Sequence, residues 1–283
     1  MKGLANLAFT VFIAIASAAA ITAQTAGSLS ASIDSPDPEA RRTAIYRLRL
    51  DCQPASIRPA IILADDRLPV VRASAAPLFA CLPPSEAEPV LARLLSDKVP
   101  FVRKEAAYAF GLAAEPFGSE TLIAAFNRES DMEVKSAIIV SLGITGKPDS
   151  FSLLVNVLQN PPTDDNRFLR RSAARSIGQI AQRLATGNFD RTTPESFLPD
   201  KYLNLKPVRA GIRFPVLNNA VPVLERIAMA ENEDDDTRRE AIFALGIIGS
   251  DQSVAAIKRA YSSSDPFLSQ IARKSLFRSG FIP

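Results

Sequence analysis

No histidine occurs among the 283 residues, which removes the commonest general base and with it every Ser-His or Cys-His nucleophile pairing. Catalysis by this chain's own side chains would have to run on carboxylates, lysine or tyrosine. The carboxylates that can be placed fall at helix starts or on solvent-facing positions, where capping and solubility account for them, so no catalytic residue is expected. Cys52 and Cys81 are the only thiols. Without His they cannot complete the four N or S ligands of a structural zinc site, and no c-type haem motif is present. The run Glu231-Asn232-Glu233-Asp234-Asp235-Asp236 is dense in oxygen ligands but lacks the spacing and glycine of a calcium loop. It reads better as a solvated link whose last members favour the next helix N-terminus. There is no glycine-rich phosphate loop. Neither a metal nor a cofactor is therefore expected.

The chemistry that remains is recognition. Residues 187–215, GNFDRTTPESFLPDKYLNLKPVRAGIRFP, mix aromatics with Arg and Lys and carry prolines at 194, 199, 207 and 215. Aromatic and Arg side chains supply much of the contact energy of recognition surfaces. Phe197, Tyr202, Arg209 and Arg213 are the expected partner contacts, and packing of the same aromatics onto the body of the fold is the competing reading.

The element that must position these residues is legible as a repeat. The segments VVRASAAPLFA (70–80), FVRKEAAYAFG (101–111), EVKSAIIVSLG (133–143), FLRRSAARSIG (168–178) and DTRREAIFALG (236–246) share a basic residue, a small or apolar residue three further on, an apolar one at seven and usually Gly at eight. The register residues Arg41, Arg72, Arg103, Lys135, Arg170, Arg238 and Ser269 are separated by 31, 31, 32, 35, 68 and 31 positions. The 68 is one period plus an insertion. Self-similarity at such a period marks a solenoid. Val102, Ala106, Ala109 and Phe110 lie on one helical stripe, and a second apolar helix follows each turn, with Pro59, Pro89 and Pro222 expected in first turns.

These segments resemble the HEAT repeats, especially the short variety also found in bilin lyases, over roughly residues 36–283. The resemblance implies an all-α, right-handed solenoid of helical hairpins, about six pairs plus a terminal helix. It also implies that the repeated basic residue bonds an acid near the inter-helix link, with Asp97–Arg103 and Asp131–Lys135 as the expected pairs. A cationic ladder gripping an anionic partner is the alternative. The family serves many partners, so function follows only loosely.

The N-terminus MKGLANLAFTVFIAIASAAAITAQ has one early positive charge, a short apolar stretch and then small residues. That is the layout of a signal peptide. The expected organisation is a signal peptide at 1–23, a linker at 24–35 and the solenoid at 36–283. Cleavage would leave Ile21 or Gln24 as the first residue, in the periplasm or outside the cell, with no membrane insertion afterwards. An uncleaved anchor helix is disfavoured because the apolar stretch is short for a span. A formal charge of +3 with 47% hydrophobic residues gives no drive toward nucleic acid.

An oxidising compartment would permit a Cys52–Cys81 disulfide. Equivalent positions on stacked helices stand about 8 to 10 Å apart, beyond the roughly 7 Å limit for Cα atoms. The first unit, however, is two residues longer between its basic residue and its cysteine. The expected function is a non-catalytic binding scaffold for a protein or peptide. The alternative, borrowed from the resemblance, is a lyase or chaperone-like protein acting on a prosthetic group. Export and the lack of His speak against that alternative.

Overall fold

A computed structural model describes residues 32–113, 116–145, 147–187 and 207–281. The predicted signal peptide and most of the predicted insertion, with Phe197 and Tyr202, lie outside them. Every regular element among the described residues is helical.

The elements alternate as the 31-residue period requires. First helices are α1 (Pro38–Asp51), α3 (Pro69–Phe79), α5 (Pro100–Leu112), α7 (Met132–Thr145), α9 (Arg167–Thr186), α12 (Asp235–Ile248) and α14 (Pro266–Arg278). Each of the first six has a second helix. These are α2 (Pro54–Ile57) running into a 3-10 segment Arg58–Asp65, α4 (Pro84–Leu94), α6 (Ser119–Arg128), α8 (Phe151–Gln159), α11 (Val221–Met229) and α13 (Asp251–Tyr261). A single short turn of helix, α10 (Ala210–Arg213), precedes α11. Among the described residues the chain is an all-α solenoid of six helix pairs and a last helix, α14.

The first helices form the tightly stacked row, whereas second helices touch one another far less. Composition explains the difference. A Cβ added to Gly143 would come within 2.3 Å of Ser176 Oγ, and one added to Gly246 within 2.7 Å of Ser275 Cβ. Only a missing side chain lets these helices approach so closely. Ala75, Ala76, Ala106, Ala107, Ala109, Ala173 and Ala174 are all buried, and Val71, Val102, Ile138 and Ile177 line the continuous core with them.

Proline use corrects one sequence expectation. Pro38, Pro69, Pro84, Pro100 and Pro266 begin helices, where no N–H is missed. Pro89 does not; it lies inside α4, as Pro77 lies inside α3. α4 begins earlier than the apolar pattern suggests because Pro84 already starts it.

The repeated arginines hold the rows in register, through other acids than expected. Arg72 donates to both carboxylate oxygens of Asp97 at 2.6 and 2.9 Å, and its remaining nitrogen reaches the Asp66 carbonyl at 2.7 Å. Arg41 does the same with Asp66 and the Ser35 carbonyl. Arg103 repeats it with Glu129 and the Asp97 carbonyl. Each arginine thus ties the link before its own helix to the link one repeat ahead. Asp97 therefore belongs to Arg72 and not to Arg103. Asp131 instead caps α7, accepting from the Glu133 and Val134 N–H groups, while Lys135 lies over the Phe126 ring at 5.3 Å. The Arg170 rung spans the insertion, bound to Glu233 in a pair almost fully buried.

Candidate functional site

The C-terminal half of the first-helix row differs chemically from the N-terminal half. α3 and α5 bury mainly alanine and large apolar side chains, but α9, α12 and α14 also bury Gln179, Gln182, Glu240, Lys274, Ser275 and Arg278. Small hydroxyls stitch the helices together here: Ser141 donates to the Ala107 carbonyl at 2.7 Å and Ser176 to the Ile139 carbonyl at 3.0 Å. Burying so many polar groups costs free energy unless they are paired, so a row of identical packing duties does not call for them.

An open groove of about 300 Å³ runs over this face between α7 and α9, lined by Val140, Ile144, Phe168, Arg171, Arg175 and Gln179 among others. Phe168 is 53% exposed. Arg171 pairs with Asp236 at 2.9 Å, and Arg175 stands 4.0 Å from the buried carboxylate of Glu240. Further along the row, Arg239 meets Asp236 and Asp265, and Arg278 lies 5.7 Å from the Phe243 ring. Cations outnumber carboxylates along this strip. Apolar wall, exposed aromatic ring and half-engaged arginines together suit a flat amphiphilic molecule that carries carboxylates. The carboxylate of Glu240, 1% exposed, lies buried behind these arginines. Sequence reading missed Glu240, because it sits two places past the register residue Arg238, where other repeats have Ser74, Glu105, Ala137 and Ser172.

Of the sequence-predicted recognition residues, Phe197 and Tyr202 lie outside the described residues, and Arg209 and Arg213 do not line this groove. Arg209 donates to the Gly249 carbonyl and to Asp251, both at 2.9 Å, and stacks 5.6 Å from the Phe281 ring. Two of its three nitrogens are engaged within the chain. Arg213 is exposed, with its guanidinium 5.3 Å from the Phe214 ring.

Cys52 and Cys81 are bonded, with Cα atoms 5.4 Å apart. Cys52 leaves α1 in the left-handed region at φ 49°, and this sharp exit turns the longer first unit back toward its neighbour. The acidic run is divided among separate tasks. Glu233 takes Arg170, Asp234 caps α12 through the Thr237 N–H, and Asp235 takes Arg238. Among the described residues no group of three or more His, Cys, Asp or Glu is arranged to hold a metal ion.

Fold and repeat chemistry define a class, the HEAT-like α-solenoids, and comparison with known proteins narrows it. Residues 87–178 match the model of HEAT repeats and residues 237–263 that of the PBS lyase HEAT-like repeat. Over these residues the repeats are similar to the HEAT repeats, and residues 237–263 to the short type named for the PBS lyases.

One curated relative is the bilin biosynthesis protein PecE of Nostoc sp. (strain PCC 7120), 30% identical over 162 residues. The match takes in 56% of this chain and 59% of the relative, so the chain spans under two thirds of that protein. Among solved structures, the complex of CpcE and CpcF of phycocyanin lyase from Nostoc sp. PCC7120 aligns at 20% identity and a TM-score of 0.46, covering 88% of this chain and 85% of that one. Human deoxyhypusine hydroxylase aligns at 19% identity and a TM-score of 0.42, covering 93% and 98%.

These findings correct the expectation of a chain with no enzymatic part. The sequence relative is a bilin biosynthesis protein, and the repeat containing Glu240 matches a model named for a lyase. The lack of His had weighed against that reading, but it removes only one of several proton-transfer groups, and a buried carboxylate can serve instead.

Proposed function

We propose that the chain is a lyase component that acts on a prosthetic group of the open-chain tetrapyrrole type and works with a protein partner. The observation that carries the reading is a coincidence of position. Residues 237–263, which match the PBS lyase HEAT-like repeat, contain Arg239 and Glu240 of the polar face. The two arginines of the groove would take the carboxylate arms of the pigment, Phe168 would cover its apolar ring edges, and Glu240 would handle a proton.

The test is a titration of the full chain with biliverdin, read by the pigment's absorbance and induced circular dichroism. Saturable binding that drops about ten-fold in Arg175→Ala, and survives in Arg93→Ala far from the face, supports the reading. No spectral change, or equal loss in both variants, would refute it. Independently of that reading, we propose from the N-terminal sequence that the chain is exported and mature from Ile21 or Gln24. N-terminal sequencing of the native protein checks this, and a mature pool that keeps Met1 would contradict it.

A further inference from the structure

In the fourth repeat the rung of the arginine ladder is missing, and a cavity stands in its place. In three successive repeats the register arginine is followed 25 or 26 residues later by the acid it binds: Asp66 after Arg41, Asp97 after Arg72 and Glu129 after Arg103. In the fourth repeat the register residue is Lys135 and the residue 25 places on is Asn160. Both halves of the rung have changed together. Lys135 makes no ion pair with any described residue; its ammonium rests over the Phe126 ring. Asn160 donates to the Asn156 carbonyl at 3.2 Å and offers no charge.

The space between α6, α7, α8 and the link into α9 is an open pocket of about 420 Å³. Phe126, Met132, Leu153 and Leu169 give it apolar walls, and Lys135 and Asn156 stand among them. Arg170 also borders the pocket but is committed to Glu233 and to the Leu158 and Asn160 carbonyls. Lys135 is thus a cation in a partly apolar setting with its carboxylate absent. A charge-assisted bond to an ammonium is about twice as strong as a neutral one, and pockets of a few hundred Å³ are the size that small ligands fill.

We propose that this pocket binds a small amphiphilic carboxylate, whose acid group occupies the missing rung on Lys135 while its apolar body lies against Phe126, Met132 and Leu153. Asn156 supplies a neutral donor beside the acid. The site is independent of the polar face and does not rest on the function proposed above.

3-Phenylpropionate is a suitable probe, titrated calorimetrically into the full chain at neutral pH and low salt, beside its uncharged analogue 3-phenylpropionamide. The acid is expected to bind at least about ten-fold more tightly than the amide. Lys135→Met should erase that difference. Asn160→Asp is the sharper variant, because it copies Asp66 and Asp97 and gives Lys135 an internal partner; it should fold as the wild type does and lose the probe by about ten-fold. Equal affinity for acid and amide, undiminished binding in Asn160→Asp, or no heat up to the probe's solubility would each overturn the proposal.

Discussion

Asp97→Ala is expected to destabilise the third repeat far more than a surface substitution would. Arg72 and Asp97 side chains are each only 10% exposed, so deleting the carboxylate strands a guanidinium that water reaches poorly. Breaking a buried pair from one side costs about 3 to 5 kcal/mol, and the residual exposure argues for the lower end. Asp97 also accepts the Val99 N–H at 2.9 Å, a capping bond whose loss adds about 1 kcal/mol. The sum is about 4 kcal/mol, or roughly a thousand-fold in the local opening constant. Removing both charges, as Arg72→Met with Asp97→Ala, should recover about half of that loss or more, because no charge is left stranded. Urea unfolding followed by circular dichroism gives the global change, and amide hydrogen exchange across α3 and α5 locates it. A loss below about 1 kcal/mol, or a double variant no better than Asp97→Ala, would show that the ladder is not what holds adjacent repeats in register.

The same rungs set an acid limit. Burial pushes the Asp66, Asp97 and Glu129 carboxyls up, but the guanidiniums of Arg41, Arg72 and Arg103, with backbone N–H groups, hold each below its ordinary value. Their contribution is complete above about pH 5 and fades as pH falls through the depressed values; a melting temperature that does not decline from pH 5 to pH 2 would contradict this. Reducing the Cys52–Cys81 bond, which spans 29 residues, should cost about 3.6 kcal/mol by loop entropy, seen as loosened exchange in α1 with α12 unchanged. Gly143→Ala forces a Cβ to within 2.3 Å of Ser176 and 2.8 Å of Gln179 and should cost about 1 to 3 kcal/mol. Gly187→Ala meets nothing within 4 Å and should cost less, about 1 kcal/mol from its φ of +73° alone; the reverse order in thermal melts would refute the packing account.

The architecture was legible because period and apolar stripe report the same thing: one helix pair per 31 residues, each burying one face on the next. Helix order, six pairs and the odd last helix all follow from that register. Partner choice within the register was not. Asp97 lies in a link that both Arg72 and Arg103 approach, and spacing alone does not say that the carboxylate turns back to Arg72 while only the carbonyl serves Arg103. Pro89 was misplaced because the apolar run of α4 starts later than its backbone does. Glu240 escaped notice for a related reason. A single glutamate on a helix face reads as solvated until neighbouring helices, held close by Gly178 and Gly246, cover it.

The described end of the insertion has a consequence for when the molecule can be completed. Val208 donates to the Arg278 carbonyl at 2.7 Å, Arg209 reaches Gly249, Asp251 and Phe281, and a Cβ on Gly249 would strike the Val208 carbonyl. A segment of chain from the fifth pair is therefore sewn onto the sixth pair and the last helix, some 40 to 70 residues later in sequence. Solenoids ordinarily assemble by neighbour contacts and can stack as they leave the ribosome, N-terminal repeats first. Here α1 to α9 can do so, but Val208 and Arg209 lack their full set of partners until residue 281 has been synthesised. At an ordinary elongation rate of about 5 to 20 residues per second, that leaves them waiting for several seconds. The C-terminal third must then close in one late, long-range step, so the polar face on α9, α12 and α14 is finished last.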